Sequence, residues 1–180
     1  MKWKITELQL GVNLLFVSFG ISLGRDKNNN HFQAIQDDLD QGIINLHGER
    51  VTICAFNGKY VTARSLENNE LYANEDEVQD KGVFELCRIT DDKIVLRAFN
   101  GKFVSANLPP YGHGELIANR TSISGWETFR FSYLNDGKVS LQAFNNKWVT
   151  AELPPIGGGE LIANRQSVSG WEAFTIQPMN

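Results

Sequence analysis

About three quarters of the chain is an internal repeat, and this feature limits the available folds more than any other. The segment that begins at Ala98 reads Ala-Phe-Asn-Gly-Lys-Phe-Val-Ser-Ala-Asn-Leu-Pro-Pro, and the segment at Ala143 reads Ala-Phe-Asn-Asn-Lys-Trp-Val-Thr-Ala-Glu-Leu-Pro-Pro. A shorter version, Ala-Phe-Asn-Gly-Lys-Tyr-Val-Thr-Ala, begins at Ala55. Three copies of about 45 residues therefore fill 46–180, and such a period is typical of folds built from repeated supersecondary units.

Two further motifs recur at the same spacing and define the copies. Glu-Leu-Ile-Ala-Asn-Arg occupies 115–120 and 160–165, and Gly-Trp-Glu-x-Phe occupies 125–129 and 170–174. The first copy has Lys81-Gly82 in place of Trp-Glu and keeps only the terminal aromatic residue, Phe84. The repeats accordingly run over about 46–89, 90–134 and 135–180.

Each copy has the pattern of four short strands. Residues 139–143 alternate apolar and polar side chains, as a half-buried strand does. The pairs Asn57-Gly58, Asn100-Gly101 and Asn145-Asn146 tolerate the positive φ of a tight hairpin turn. No stretch of 46–180 has a helical period, and threefold repetition lets twelve strands close a barrel without open edges. We predict an all-β fold, a β-trefoil of three four-stranded repeats with pseudo-threefold symmetry.

Composition and motifs argue against several classes of function. A formal net charge of -4 and a pI near 5.4 disfavour nucleic acid or an anionic membrane as the main partner, since these usually require a basic face. The sequence contains no Gly-x-Ser-x-Gly, His-Glu-x-x-His or phosphate-cradling glycine loop. Its prominent carboxylates recur in related copies, which suits multivalent binding better than a single catalytic centre. We therefore expect a protein that is not an enzyme and uses no metal or other cofactor.

The first 45 residues lie outside the repeat. Residues 8–23 are mostly apolar after a weakly basic start, and Ser22-Leu23-Gly24 supplies small residues of the kind a signal peptidase prefers. The apolar stretch is short and interrupted for a transmembrane span. Residues 1–24 are therefore interpreted either as a signal peptide or as an apolar head, and 25–45 as a linker that could include a short helix. A signal peptide predicts a secreted or extracellular protein, whereas an uncleaved head predicts a cytoplasmic one.

Taken together, the repeated motifs resemble those of the fascin-like β-trefoil family. The pattern Asn-Gly-Lys-aromatic-Val-Ser/Thr-Ala, followed by Leu-x-Ala-Asn-Arg and Gly-Trp-Glu-x-Phe, covers 46–180 and is strongest in the second and third copies. The family includes actin-bundling proteins with four trefoils in tandem and bacterial single trefoils that bind β-glucans, often attached to glycoside hydrolases. With one trefoil, this chain is more similar to the bacterial modules. The resemblance implies multivalent binding of a β-glucan-like polysaccharide, with a glycoside hydrolase or another protein as a further partner.

Two other functions remain open at this point. The first is binding of actin or another protein, although bundling needs two separated filament sites and an acidic pI does not suit acidic actin. The second is a structural or assembly role, in which the Trp-bearing faces are buried against another subunit. For the mature domain we expect a monomer that makes no membrane contact.

The repeated Trp-Glu pair supplies the candidate binding residues. The Phe of Gly-Trp-Glu-x-Phe belongs to the core, so strand alternation places the Trp on the opposite face, where an indole can stack on a sugar ring. Nearby carboxylates can accept hydrogen bonds from sugar hydroxyls, and guanidinium groups can donate them. Because the first copy lacks Trp-Glu, we expect two sites. The candidate residues are Trp126, Glu127, Glu115, Arg120, Trp171, Glu172, Glu160 and Arg165.

Each candidate also has a structural interpretation. The Trp residues could cap the end of the barrel. Glu127 and Glu172 could accept backbone N–H groups where the fourth strand begins, and Arg120 and Arg165 could pair with neighbouring carboxylates.

The two cysteines allow a further prediction. Strand alternation in 51–55 and 84–87 places the apolar side chains inside, namely those of Val51, Ile53, Ala55, Phe84 and Leu86. Cys54 and Cys87 therefore point outward. If the first and fourth strands of the copy pair, the two sulfur atoms come close together, which predicts a disulfide in an exported protein. The alternative is two unrelated small residues at the surface.

Overall fold

The computed structural model describes residues 48–64 and 68–179, which form an all-β fold. Within these residues there is no α-helix, only two 3-10 turns at Asp80–Gly82 and Gly125–Glu127. No helix in this part of the chain is long and apolar enough to cross a membrane. The predicted signal peptide or apolar head at 1–24 and the linker at 25–45 lie outside the described residues.

The strands are β1 (Glu49–Cys54), β2 (Tyr60–Arg64), β3 (Glu70–Glu75), β4 (Val83–Thr90), β5 (Lys93–Arg97), β6 (Phe103–Asn107), β7 (Glu115–Arg120), β8 (Phe129–Tyr133), β9 (Val139–Gln142), β10 (Trp148–Glu152), β11 (Glu160–Arg165) and β12 (Thr175–Pro178).

All twelve strands belong to one antiparallel sheet. Its order is β10-β9-β8-β5-β4-β1-β2-β3-β11-β7-β6, and β12 pairs with β1 beside this path. Additional pairings of β10 with β11, β5 with β6 and β3 with β7 close the sheet on itself. Closure gives strand edges a hydrogen-bonding partner instead of leaving them exposed.

The predicted β-trefoil of three four-stranded repeats with pseudo-threefold symmetry is wrong as a description of this sheet. The copies pair across their boundaries: β4 with β5 at five positions, β8 with β9 at four and β12 with β1 at four. Within a copy, the first and fourth strands pair unequally: β5 and β8 pair at two positions, and in the third copy the link is the isolated bridge between Val139 and Phe174. In the first copy, β1 and β4 pair at four positions. A four-stranded unit alone would leave its outer strands unpaired, so each copy completes its hydrogen bonds on its neighbours. The repeat is therefore not a clear structural unit.

The core consists of the inward-facing side chains of all three copies. Phe84, Phe129 and Phe174, the terminal aromatic residues of the three copies, are each 0% exposed. The predicted inward positions of the first copy, Val51, Ile53 and Ala55, are also buried. Alternation therefore identified the core side of these strands correctly.

The hairpin turns between the first two strands of each copy also follow the sequence prediction. Gly58, Gly101 and Asn146 have φ of 77°, 73° and 59°, in the left-handed region that favours Gly and Asn. A recurring Asn side chain fixes each turn: its Oδ1 accepts the N–H two residues on, and its Nδ2 donates to a carbonyl of the third strand. The Nδ2–O distances are 3.2 Å for Asn57 to Ala73, 2.9 Å for Asn100 to Ala118 and 3.0 Å for Asn145 to Ala163.

The predicted disulfide does not form. In the register of β1 and β4, Val51 lies opposite Phe84 and Glu49 opposite Leu86, so Cys87 lies next to Gly48, at the start of β1. Cys54 is at the other end of β1, opposite Thr175. Six residues of extended strand, about 20 Å, separate the two positions, far beyond the reach of a disulfide. Cys87 does point away from the main core, but it is buried in a second cluster with Val95, Phe103 and Ile123.

We expect the two thiols to differ strongly in reactivity. Burial raises the pKa of the Cys87 thiol to about 11, and burial also raises the pKa of the less enclosed Cys54. Because the thiolate is the reactive form, a water-soluble thiol reagent at pH 8 should label Cys54 well before Cys87. Mass spectrometry of labelled peptides measures both rates, and denatured protein without reductant should show two thiols. Equal rates in the folded protein, or fewer than two thiols after denaturation, would contradict this placement.

The Cys87 shift also predicts a pH dependence of stability. The unfolded thiol loses its proton near the ordinary value of 9.0, whereas the folded thiol keeps it until about pH 11. Between these values the folded state binds more protons, so the free energy of unfolding falls as pH rises. Urea denaturation between pH 8 and 11 should show this fall in the wild type and a smaller one in Cys87→Ala.

Candidate functional site

The Ser-Gly-Trp-Glu sequence builds the same local turn before the fourth strand in two copies. In the second copy, Glu127 Oε2 accepts hydrogen bonds from the backbone N–H and the hydroxyl of Ser124, at 2.8 and 2.5 Å. In the third copy, Glu172 Oε2 accepts the same two bonds from Ser169, at 2.8 and 2.7 Å. The arrangement is a capping box, in which a carboxylate three residues on reaches back to the capping residue.

Glu127 and Glu172 are placed for this structural role. Each is only 2% exposed, and its second carboxylate oxygen, Oε1, lies 3.7 Å from the Nε of an arginine, Arg120 or Arg165. These contacts leave little carboxylate surface for an external ligand. The structure therefore favours the interpretation in which these carboxylates accept backbone N–H groups at the strand entry. The Ser-x-x-Glu spacing is visible in the sequence and could have identified Ser124 and Ser169 as the capping residues.

Glu115 and Glu160 close the loops that precede the third strands of their copies. Glu115 Oε2 accepts the backbone N–H of His113 at 2.8 Å, and Glu160 Oε2 accepts that of Gly158 at 2.6 Å. Both side chains are half-buried. They shape the loops 108–114 and 153–159, the first of which carries Tyr111 beside Trp126.

Trp126 forms a surface with two other side chains of the second copy. Its indole is half-buried and packs against the core on one side. The ring of Tyr111, which is 78% exposed, lies 6.2 Å from it at an interplanar angle of 59°. The Cζ atom of Arg120 lies 5.9 Å from the Trp126 ring. We refer to Tyr111, Arg120 and Trp126 as the Trp126 surface.

The third copy presents a related surface with different chemistry. Trp171 is again half-buried against the core, and it is held at its carbonyl oxygen by the backbone N–H of Ala151 at 3.1 Å. The position of Tyr111 is taken by Ile156, which is 68% exposed. The equivalent arginine, Arg165, pairs with Glu152 at 2.8 Å. We refer to Ile156, Arg165 and Trp171, the residues equivalent to Tyr111, Arg120 and Trp126, as the Trp171 surface.

A phenylalanine from another copy borders each of these turns. An added Cβ at Gly125 would lie 2.7 Å from the Phe144 ring, and one at Gly170 would lie 3.1 Å from Phe56. Phe144 is 47% exposed and Phe56 is 57% exposed, so both belong partly to the surface. The sequence did not predict that these two phenylalanines lie beside the Trp-bearing turns, because each contact joins residues of different copies.

The first copy lacks this arrangement. Lys81 stands at the Trp position, and its Nζ lies 5.9 Å from the Phe99 ring. The turn therefore carries an indole in the second and third copies, and two binding sites stay a prediction. Among residues 48–64 and 68–179, no group of three or more His, Cys, Asp or Glu side chains is arranged to hold a metal ion.

Sequence comparisons do not place the chain in a family. Neither the protein-family models nor the curated protein sequences give a match. Membership of the fascin-like family therefore stays a prediction.

Solved structures similar to this chain are β-trefoil proteins, among them a designed protein, lectins and toxins. The designed threefold-symmetric protein ThreeFoil matches with a TM-score of 0.64 and 17% identity over 72% of this chain and 99% of its own. A Polyporus squamosus lectin bound to the human-type influenza-binding epitope Neu5Acα2-6Galβ1-4GlcNAc matches with a TM-score of 0.60 and 14% identity, over 75% of this chain and 50% of the lectin. SeviL bound to asialo-GM1 saccharide matches with a TM-score of 0.58 and 14% identity, over 74% and 99%. At these identities the similarity concerns the fold alone.

Proposed function

We propose that the protein is a non-catalytic carbohydrate-binding protein that holds saccharides on its Trp126 and Trp171 surfaces. The observation that carries the proposal is the Trp126 surface itself, where a half-buried indole, an exposed tyrosine ring and a guanidinium group converge. Two rings of this kind can cover the apolar C–H faces of a sugar, and the arginine can donate hydrogen bonds to its hydroxyls. The saccharides bound by the two lectins of similar fold support the same class of ligand.

The finer proposal is a β-glucan-like polysaccharide, bound at more than one point. It is supported by the resemblance of the repeated motifs to single-trefoil modules that bind β-glucans. Exposed aromatic platforms give single-site affinities of about 4–8 kcal/mol, in the millimolar to micromolar range. Two such sites on one rigid body bind a polymer more tightly than either site alone, provided that one polymer can reach both.

A binding role without catalysis is supported by the state of the carboxylates. Glu127 and Glu172 are enclosed by Ser and Arg partners, and Glu115 and Glu160 accept backbone N–H groups of their own loops. Secretion is supported by the apolar stretch of residues 8–23 and the small residues that follow it. Under this proposal, the expected protein partner is a glycoside hydrolase that acts on the same polysaccharide.

Retention of the full chain by a panel of soluble and insoluble polysaccharides tests the proposal. Trp126→Ala and Trp171→Ala should each weaken retention, and the double variant should lose it, because each change removes a stacking surface. Tyr133→Ala is the matched control, since Tyr133 is 70% exposed but belongs to neither surface. Two results would rule out carbohydrate binding on these surfaces. Either no polysaccharide retains the wild type, or every polysaccharide that retains the wild type also retains the double variant.

Protein binding, including the actin binding of the fascin-like resemblance, is the second candidate. It is favoured by the exposed apolar side chains near the turns, namely Phe56, Phe144 and Ile156. A wild type that binds no saccharide would direct the search to protein partners.

A further inference from the structure

We propose that the two surfaces are not equivalent and that the Trp126 surface is the principal saccharide site, because Glu152 competes with ligands for the Arg165 guanidinium. This inference rests on the proposed function and specifies which residues determine binding. It starts from two differences between the equivalent residues of the copies. Asn107 and Tyr111 of the second copy correspond to Glu152 and Ile156 of the third.

Arg165 is engaged on two sides by carboxylates of its own copy. Its Nη2 donates to Glu152 Oε2 at 2.8 Å, and its Nε lies 3.7 Å from Glu172 Oε1. Glu152 is 6% exposed and also accepts a hydrogen bond from Asn164 Nδ2 at 2.8 Å. Charge-assisted bonds to a buried carboxylate are strong and directional, so the guanidinium is fixed. A ligand would have to compete with Glu152 for this Nη2 donor, on a side chain that is 36% exposed.

In the part of the chain that the structure describes, Arg120 has no counterpart of Glu152, and its carboxylate neighbour is Glu127. The position of Glu152 is taken by Asn107, whose Nδ2 donates to the carbonyl oxygen of Tyr111 at 3.4 Å. Within 48–64 and 68–179, the Arg120 guanidinium contacts Glu127, through its Nε, and the Trp126 ring. Its side chain is 44% exposed. The Nη groups are therefore available to donate to a ligand that stacks on Trp126.

The difference between Tyr111 and its equivalent Ile156 also favours saccharide binding on the Trp126 surface. Tyr111 adds a second aromatic face and a hydroxyl next to the indole, whereas Ile156 adds only an aliphatic side chain. A hydroxyl-rich hexopyranose chain can thus find two rings and a guanidinium on the Trp126 surface. Of the three residues that define the Trp171 surface, one has an aromatic ring, and each turn has one bordering phenylalanine, Phe144 or Phe56. Because sugar recognition needs both stacking and hydrogen bonding, the first surface should dominate.

The inference is tested by affinity electrophoresis of the full chain. The gels contain the soluble polysaccharides of the panel, among them laminarin and a mixed-linkage β-glucan. Trp126→Ala should weaken binding by about tenfold or more, and Trp171→Ala by less than about threefold. Asn107→Glu places a carboxylate beside Arg120, as Glu152 stands beside Arg165, and should weaken binding by about threefold to tenfold. Its urea denaturation midpoint should match that of the wild type, which separates ligand competition from unfolding.

A gain of binding provides the converse test. In the Trp126→Ala background, Glu152→Asn combined with Ile156→Tyr should recover about tenfold of the lost affinity, and Ile156→Tyr alone should recover less. Equal losses for the two Trp variants, or an unchanged affinity of Asn107→Glu, would overturn the inference while leaving carbohydrate binding intact. Absence of binding by the wild type to every polysaccharide would instead overturn the proposed function.

Discussion

Replacement of Glu172 by alanine is expected to lower the free energy of unfolding by about 2–3 kcal/mol, because a buried carboxylate that accepts two hydrogen bonds is removed. The carboxylate is 2% exposed and accepts the backbone N–H and the hydroxyl of Ser169, at 2.8 and 2.7 Å. Alanine leaves both donors without this acceptor, removes the contact with Arg165 and opens a cavity beside the core. Urea denaturation followed by tryptophan fluorescence measures the loss.

Glu160→Ala is the matched control for this prediction. Glu160 is also a glutamate of the third copy, but it is half-buried and accepts the backbone N–H of Gly158. Its loss should cost about 1 kcal/mol, the net value of an ordinary hydrogen bond. Glu172→Gln keeps an acceptor oxygen and should fall between the two alanine variants. If Glu172→Ala proves no more costly than Glu160→Ala, the buried carboxylate does not hold the turn.

The second large effect is expected for Gly159→Ala, at the junction between the third and first copies. Gly159 has φ of 106° and its carbonyl oxygen accepts the backbone N–H of Ala73 at 2.7 Å. A Cβ at this position would lie 2.7 Å from the carbonyl oxygen of Ala73, so β3 or the loop must move. The left-handed backbone costs alanine about 1–2 kcal/mol, and the overpacking adds about 1–3 kcal/mol. Urea denaturation of the variant measures the total loss in the free energy of unfolding, which is the sum of the two costs.

Gly58→Ala separates the two contributions. Gly58 also has a positive φ, 77°, but an added Cβ would meet no atom within 4 Å. This variant should therefore lose only the backbone part, about 1–2 kcal/mol. Equal losses at Gly58 and Gly159 would mean that the close approach to Ala73 has no energetic consequence. Gly114, with φ of 108° and a Cβ position 2.8 Å from the carbonyl oxygen of Ala163, should behave like Gly159.

Much of the local structure could be predicted from the sequence. The alternation of 51–55 identified the core side of β1, and Asn-Gly or Asn-Asn pairs marked the hairpin turns where Gly58, Gly101 and Asn146 adopt positive φ. Both predictions depend on interactions within a few residues of the chain, which the side-chain pattern specifies directly. The Ser-x-x-Glu spacing carried the same kind of local information about Glu127 and Glu172, although it was not used.

The tertiary structure decided where the copies meet. The sequence could not show that β12 completes its pairing on β1, that Cys54 and Cys87 lie at opposite ends of β1, or that Phe144 borders the turn of Trp126. Nor could it show that Glu152 engages Arg165 while Arg120 keeps exposed donors, which decides the chemistry of the two surfaces. The repeat by itself determined which side chains each strand must bury and where the chain turns. Only the closed sheet determined which strand edges and side chains become neighbours, because unpaired backbone groups can be satisfied by any edge of matching geometry, however distant in sequence.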